Sequence, residues 1–229
     1  MLLSDIRLTR KVNNIMSLAQ NIQDFQDELI PTIPEATMNT LMSELGGLIA
    51  TGIAEKSIAQ GAAFPDFDLA NANQESRSLQ SFLSNGPLVV SFYRGAWCPY
   101  CNLEINALQQ RLPEITAAGA QLVAISPQTP DKSTDQVANS KLNFEVLSDI
   151  DNKLARECGL VFTLPESLRP IYSAWEIDIP DHNGNDRFEL PIPATYIIDA
   201  AGKIHYVFAD MDYTKRLEPD IIIEQLQML

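Results

Sequence analysis

The sequence predicts an α/β domain over residues 61–229, preceded by a helical extension over residues 1–60. Three observations carry that reading. From about residue 61, short apolar runs alternate with amphipathic stretches, the pattern of strands crossing to parallel neighbours through helices. Near the end, ATYIIDAAGKIHYVFA places two apolar runs around a turn at Ala201-Gly202, the pattern of an antiparallel hairpin. Before residue 60 the apolar residues recur only at helical spacing.

In the extension, KVNNIMSLAQNIQDFQDELI sets Val12, Ile15, Met16, Ala19, Ile22, Phe25 and Leu29 on one helical face. PTIP interrupts the pattern, and Pro34 is a suitable first-turn residue for a second helix. That helix carries Met38, Leu41, Met42, Leu45 and Ile49. Such stripes are expected to pack on the main domain or on a second copy of the chain, the latter giving a homodimer.

In the domain, FPDFDL reads as an entry strand and Leu79 to Leu83 as a short helix. NGPLVVSFY is a turn followed by a buried strand, and the helix of CNLEINALQQRLPEITAAG ends near Gly119. QLVAIS is the next strand, Pro130 to Lys141 a helix, FEVLSD a third strand, and DNKLAREC a helix closing near Gly159. The early strands are expected to be parallel. Residues 161–191 carry Pro165, Pro170, Pro180 and DHNGND, so they read as a long insertion with little regular structure. Leu217 to Leu229 forms a last helix.

The formal charge of −14 argues against nucleic acid, whose phosphates need a basic footprint. No apolar run approaches the roughly 18 residues of a membrane helix. The start MLLSDIRLTRKVNN turns to charge too soon for a secretory signal, so the expected location is cytoplasmic. Three cysteines make no disulfide framework, in keeping with a reducing compartment.

Two of the three stand in RGAWCPYC, residues 94–101. The preceding strand ends at Tyr93 and the helix begins at about Pro99, which places Cys98 at a helix N-terminus, where free N–H groups and the macrodipole favour an anion. Cys101 follows one turn later on the same side. A thiol in such a position falls from a pKa of about 8.5 to about 3.5–7.5 and becomes a thiolate, the reactive form. Arg94 can add positive charge, and Trp97 would shield one flank of the sulfur. Cys98 is therefore the expected nucleophile and Cys101 the thiol that resolves it. A zinc half-site would need about two further ligands, and only Cys158, His182 and His205 are on offer, in no matching pair. A structural staple and two inert cysteines are the other readings of the pair. A lone cysteine such as Cys158 is by default a buried small hydrophobe, and a second resolving thiol is its sharper reading. The proposed chemistry requires no metal and no organic cofactor.

From about Ala63 onward the chain resembles the peroxiredoxins, the alkyl hydroperoxide reductase and thiol-specific antioxidant (AhpC/TSA) group, through FPDFDL, PLVVSFYRGAWCPYC, LVAIS and LPIPATYIIDAAGKI. YRGAWCPYCN, LPIPATYIID and DMDYTKR together resemble a peroxiredoxin-like branch of it. The resemblance implies a thioredoxin-like fold, with Cys98 as nucleophile, Cys101 as resolving cysteine and Pro193 as the cis-proline facing the redox site. It departs where the group carries a proline and a threonine, seven and three residues before the nucleophile: here stand Ser91 and Gly95. Nor does the group's peroxide-polarising arginine stand beside ATYIID. Arg94 and Arg216 are the candidates to replace it, their plain alternative being surface cations. The backbone N–H groups of Gly95, Ala96 and Trp97 are candidates to hold the developing oxyanion. The implied activity is a thiol peroxidase that reduces hydrogen peroxide and organic hydroperoxides and is recycled by thioredoxin or a similar dithiol. The alternative is a thioredoxin- or glutaredoxin-like thiol–disulfide oxidoreductase using the same dithiol. A non-catalytic redox sensor is the third reading.

Overall fold

The computed structural model describes residues 16–229. In the extension, Ser17 caps α1 (Leu18–Leu29) by accepting a hydrogen bond from Gln20 N at 3.1 Å. Leu18, Ile22, Phe25 and Leu29 form its buried stripe, while Ala19 faces solvent. Val12 and Ile15 of the predicted stripe lie outside the described residues. Pro34 stands just before α2 (Glu35–Ile49), at its N-cap rather than in its first turn. Only Leu41 of α2 is buried; Met42 and Ile49 are exposed.

The domain runs β1 (Asp68–Asn71), β2 (Ser76–Ser78), α3 (Leu79–Leu83), β3 (Leu88–Phe92), α4 (Pro99–Ala117), β4 (Gln121–Ser126), α5 (Pro130–Ser140), β5 (Glu145–Ser148) and α6 (Lys153–Glu157). It continues through β6 (Val161–Thr163), α7 (Arg169–Ala174), α8 (Ile179–Asn183), β7 (Glu189–Pro191), β8 (Ala194–Ile198), β9 (Ile204–Ala209) and α9 (Pro219–Leu226). Seven strands form one sheet in the order β2-β1-β5-β4-β3-β8-β9. Only β3, β4 and β5 run parallel. Their buried Val, Leu and Ile runs are those of strands covered on both faces.

Three expectations are corrected. The entry strand begins at Asp68, pairs antiparallel with β5, and forms a hairpin with β2. Phe64 and Phe67 are core anchors instead, Phe64 meeting Tyr196 edge-on with a centroid separation of 5.3 Å. Residues 161–191 are ordered: β6 and β7 pair into a small second sheet, and α7 and α8 lie between them. Pro170 and Pro180 do not break this segment but open its two helices, where a missing N–H costs nothing. Leu164, Leu168, Tyr172, Ile179 and Leu190 fix it to the core. The predicted helix over DNKLAREC shrinks to α6, because Asp151 and Asn152 take left-handed conformations before it. Among the described residues, no helix is long and apolar enough to cross a membrane.

The segment after α2 is tied to the domain by Ile58 N, which donates to Cys158 O at 3.2 Å. Gly159 makes the approach feasible: its φ is +74°, and a Cβ there would stand 2.4 Å from Lys56 O. Gly159→Ala is expected to destabilise the fold by roughly 2–3 kcal/mol through strain and backbone overlap. A urea midpoint equal to that of the wild type would contradict this packing.

Candidate active site

Strand β3 is buried throughout and delivers the chain into a tight loop, Tyr93 to Trp97. Cys98 is the N-cap of α4 and Pro99 its first residue, as the sequence predicts. The Cys98 sulfur accepts hydrogen bonds from Cys101 N at 3.4 Å and from Arg94 Nη2 at 3.0 Å. Both cysteines are free thiols with no exposed surface. Gly95 has φ +144°, and a Cβ on it would fall 2.5 Å from Trp97 Nε1. The indole therefore occupies the space that a threonine would need at this position.

Arg94 and Arg216 are not surface cations. Arg94 is 3% exposed and the Arg216 side chain 1%. Arg94 Nη1 donates to Tyr172 Oη at 3.1 Å, and its guanidinium lies 4.0 Å from the centre of the Tyr213 ring and 5.1 Å from that of Trp97. Arg216 reaches the second sulfur: Nη2 donates to Cys101 Sγ at 3.3 Å, Nε to Glu104 Oε2 at 2.5 Å, and Nη1 to Tyr213 O. Arg94, Trp97, Cys98, Cys101 and Arg216 thus converge. Pro193 directly precedes Ala194, which pairs with Phe92 at the end of β3, and the Pro193 O accepts from Asp210 N; its peptide bond is trans, not the cis form that the resemblance implies.

Buried amides fix the loop from behind. Gln128 Oε1 accepts from Ala96 N at 2.9 Å, Asn102 Nδ2 donates to Ala96 O at 2.7 Å, and Tyr93 Oη donates to Gln136 Oε1 at 2.6 Å. The Ala96 N–H, expected at an oxyanion, is committed to Gln128. Of the buried side-chain donors without a partner, two stand on the nucleophile loop, Arg94 Nε and Trp97 Nε1. Sequence reasoning missed Glu104, Tyr172, Gln128 and Tyr213. Glu104 had a signal, being an acid in the apolar face that Cys101 and Leu108 share; Tyr213 lies within the quoted DMDYTKR.

Burial pushes the Cys98 thiol up, but hydrogen bonds from Cys101 and the charges of Arg94 and Arg216 outweigh it and hold the group well below its ordinary value of 9.0. Burial raises Cys101 instead, and the negative charge on Cys98 raises it further. The pair carries one proton, on Cys101. Arg94 has no carboxylate partner among the described residues, whereas the charge of Arg216 is offset by Glu104. Cys158 lies apart in the main core, raised by burial and fitted to the role of a small hydrophobe.

A cavity of about 110 Å³ opens over the site. Leu29, Met38 and Leu45 of the extension line one side, and Arg94, Trp97 and Tyr213 the other.

Because the pKa of Cys98 is depressed on folding, its thiolate and the stability it adds are present at high pH and lost as pH falls through the folded value. Arg94→Met is expected to raise the midpoint of the thiolate absorbance near 240 nm by about two pH units. An unchanged midpoint would show that Arg94 does not hold the charge.

Residues 60–207 match the model of the AhpC/TSA family. The chain is 27% identical to peroxiredoxin Bcp of Escherichia coli over 150 residues, covering 66% of this chain and 85% of the relative. It is 26% identical over 151 residues to a chloroplastic peroxiredoxin Q of Oryza sativa subsp. japonica, covering 66% of this chain and 59% of that protein. Among solved structures, peroxidoxin BcpB of Mycobacterium tuberculosis superposes with a TM-score of 0.60 at 22% identity, over 75% of this chain and 98% of that one. Peroxiredoxin Q of Xanthomonas campestris superposes with a TM-score of 0.56 at 16% identity, over 76% and 98% of the two chains. These superpositions agree with the thioredoxin-like fold, and the match over residues 60–207 makes the chain a member of the AhpC/TSA family.

Proposed function

We propose that the protein is a thiol peroxidase that reduces hydrogen peroxide and organic hydroperoxides, with Cys98 as peroxidatic thiolate, Cys101 as resolving thiol and a thioredoxin-like dithiol as reductant. The observation that carries this reading is the contact of Arg94 with Cys98, 3.0 Å long and free of any competing carboxylate among the described residues. The thiolate attacks the terminal peroxide oxygen, the O–O bond breaks, and the leaving oxygen takes a proton to become an alcohol or water. Cys98 is left as a sulfenic acid. Cys101 condenses with it to a disulfide, releasing water, and an external dithiol reduces the disulfide by exchange. Arg94 Nε and Trp97 Nε1 supply the donors that a developing oxyanion needs. They take the part left open by Ser91 and Gly95.

The exchange enzyme is the weaker reading. The chain's curated relatives are peroxiredoxins, and Arg94 with the Trp97 indole offers donors that oxygen transfer needs and thiol exchange does not. Helices α1 and α2, within the extension of residues 1–60, wall the site in this reading, their apolar side chains favouring organic hydroperoxides.

With thioredoxin as reductant, Cys98→Ser is expected to abolish peroxide turnover, while Cys101→Ser still consumes one equivalent of peroxide and then stops. Full turnover by Cys98→Ser would refute the assignment. Leu45→Lys is expected to lower kcat/KM for cumene hydroperoxide by about tenfold and for hydrogen peroxide by less than about twofold. Equal losses on both substrates would remove the groove from the account.

A further inference from the structure

The peroxidase chemistry leaves a buried carboxyl group beside the dithiol without a part. Glu104 is 2% exposed, and its ion pair with Arg216 joins residues 112 positions apart. It lies on α4 three residues after Cys101, so the two side chains share one helical face. They also share one guanidinium. Nε and one Nη of an arginine form a fork that commonly takes both oxygens of a single carboxylate. Here Arg216 Nε takes Glu104 Oε2 and Nη2 takes Cys101 Sγ. The carboxylate and the thiol are therefore side by side.

We infer that Glu104 accepts the proton of Cys101 in the step that closes the disulfide, with Arg216 seating the two groups together. For peroxide as oxidant, the inference rests on the peroxidase reading. While Cys98 is a thiolate, its charge keeps the proton on Cys101. Oxidation to the sulfenic acid removes that charge, and the Cys101 proton can then pass to the Glu104 carboxylate. The Cys101 sulfur attacks Cys98 Sγ, the S–O bond breaks, and the departing oxygen leaves as water with one proton from solvent. Glu104 afterwards returns the thiol's proton to solvent, so atoms and charge balance.

The surroundings suit this role. Burial pushes the Glu104 carboxyl up to about 7, and Arg216 pulls against it, so the group exchanges a proton near neutral pH. The titratable and charged groups facing it are Cys101 of its own helix and Arg216 of the segment before α9, with the Ser91 hydroxyl of β3 beside them. Cys98 and Arg94 lie beyond Arg216. In the other elements packed on α4, the nearest acids are engaged elsewhere: Glu218 accepts from the first N–H groups of α1, and Asp220 pairs with Arg111.

The test uses 2,2′-dipyridyl disulfide, which needs no peroxidase activity. Cys98 thiolate attacks the reagent and releases one thiopyridone; Cys101 then displaces the second, leaving the Cys98–Cys101 disulfide. In the wild type, the second release should slow as pH falls below about 7, since the base form of Glu104 is required. In Glu104→Gln the first release should stay within about twofold of the wild type, and the second should slow at least about tenfold and rise with pH without a plateau. Glu104→Asp should restore part of the rate. An unchanged second release in Glu104→Gln, or equal slowing of both releases, overturns the inference. Should that variant not fold, a wild-type second release that is flat from about pH 5.5 to about pH 8 overturns it as well. If the releases behave as expected but hydroperoxides are not consumed, it is the peroxidase reading that fails.

Discussion

Two sulfurs and two guanidinium groups lie together almost wholly buried. At the low effective dielectric of such a place, two neighbouring thiolates repel strongly, so the dithiol holds a single negative charge. A buried arginine that had no anion would cost several kcal/mol. Arg94 has no carboxylate among the described residues and stays charged, so the anion it needs is Cys98. Arg216 makes no equal demand on Cys101, because Glu104 already faces it. The helix N-terminus adds to the same asymmetry, its free N–H of Cys101 pointing at Cys98. Reactivity at Cys98 rather than Cys101 follows from the Arg94 guanidinium and the helix N-terminal N–H, both of which donate to the Cys98 sulfur.

That arrangement needs the arginine held still, and aromatic rings do most of the holding. Tyr213 covers one side of the Arg94 guanidinium and Trp97 lies near it. Tyr213 meets Tyr100 edge-on at 5.6 Å, and Tyr100 meets Phe25 of α1 at 5.2 Å. On the other side Trp97 meets Tyr172 at 5.8 Å, and Tyr172 also accepts from Arg94. The extension, the α4 turn, the segment after β9 and the α7 segment are thereby joined through one cation. Rings supply area and a negative face without adding a competing anion, which preserves the thiolate as the counter-charge.

Local chemistry was legible in the sequence, and distant partnership was not. The end of β3, the start of α4 at Pro99, the N-cap position of Cys98 and the bounds of β4 all follow from periodicity and a proline within a few residues. The burial of Arg94 and Arg216 depends on Tyr172, 78 residues away, and on Cys101, 115 residues away. No local pattern encodes those contacts, and charge alone points to the surface. The α7–α8 segment reads as irregular in the sequence because proline has two meanings: it breaks a helix interior and opens a first turn. Only the buried Leu168, Tyr172 and Ile179 decide between them. Pro193 shows the limit of resemblance, since a motif position carried over by likeness alone did not bring its cis geometry with it.

The same distinction bears on Ser91 and Gly95. Catalysis of oxygen transfer sets a geometric demand, namely donors aimed where charge develops, and does not prescribe the residues that meet it. A hydroxyl three positions before the nucleophile is one solution. Here the positive φ of Gly95 removes that side chain and admits the Trp97 indole into its place, bringing an unpartnered N–H with it. Arg94, adjacent to the glycine, presents both a donor to the sulfur and a second, unused N–H. The substitution of glycine is thus coupled to the tryptophan and the arginine, and the three are intelligible only as a set. A threonine at position 95 would displace the indole and the shielding of the thiolate together, because its Cβ would fall where Trp97 Nε1 stands.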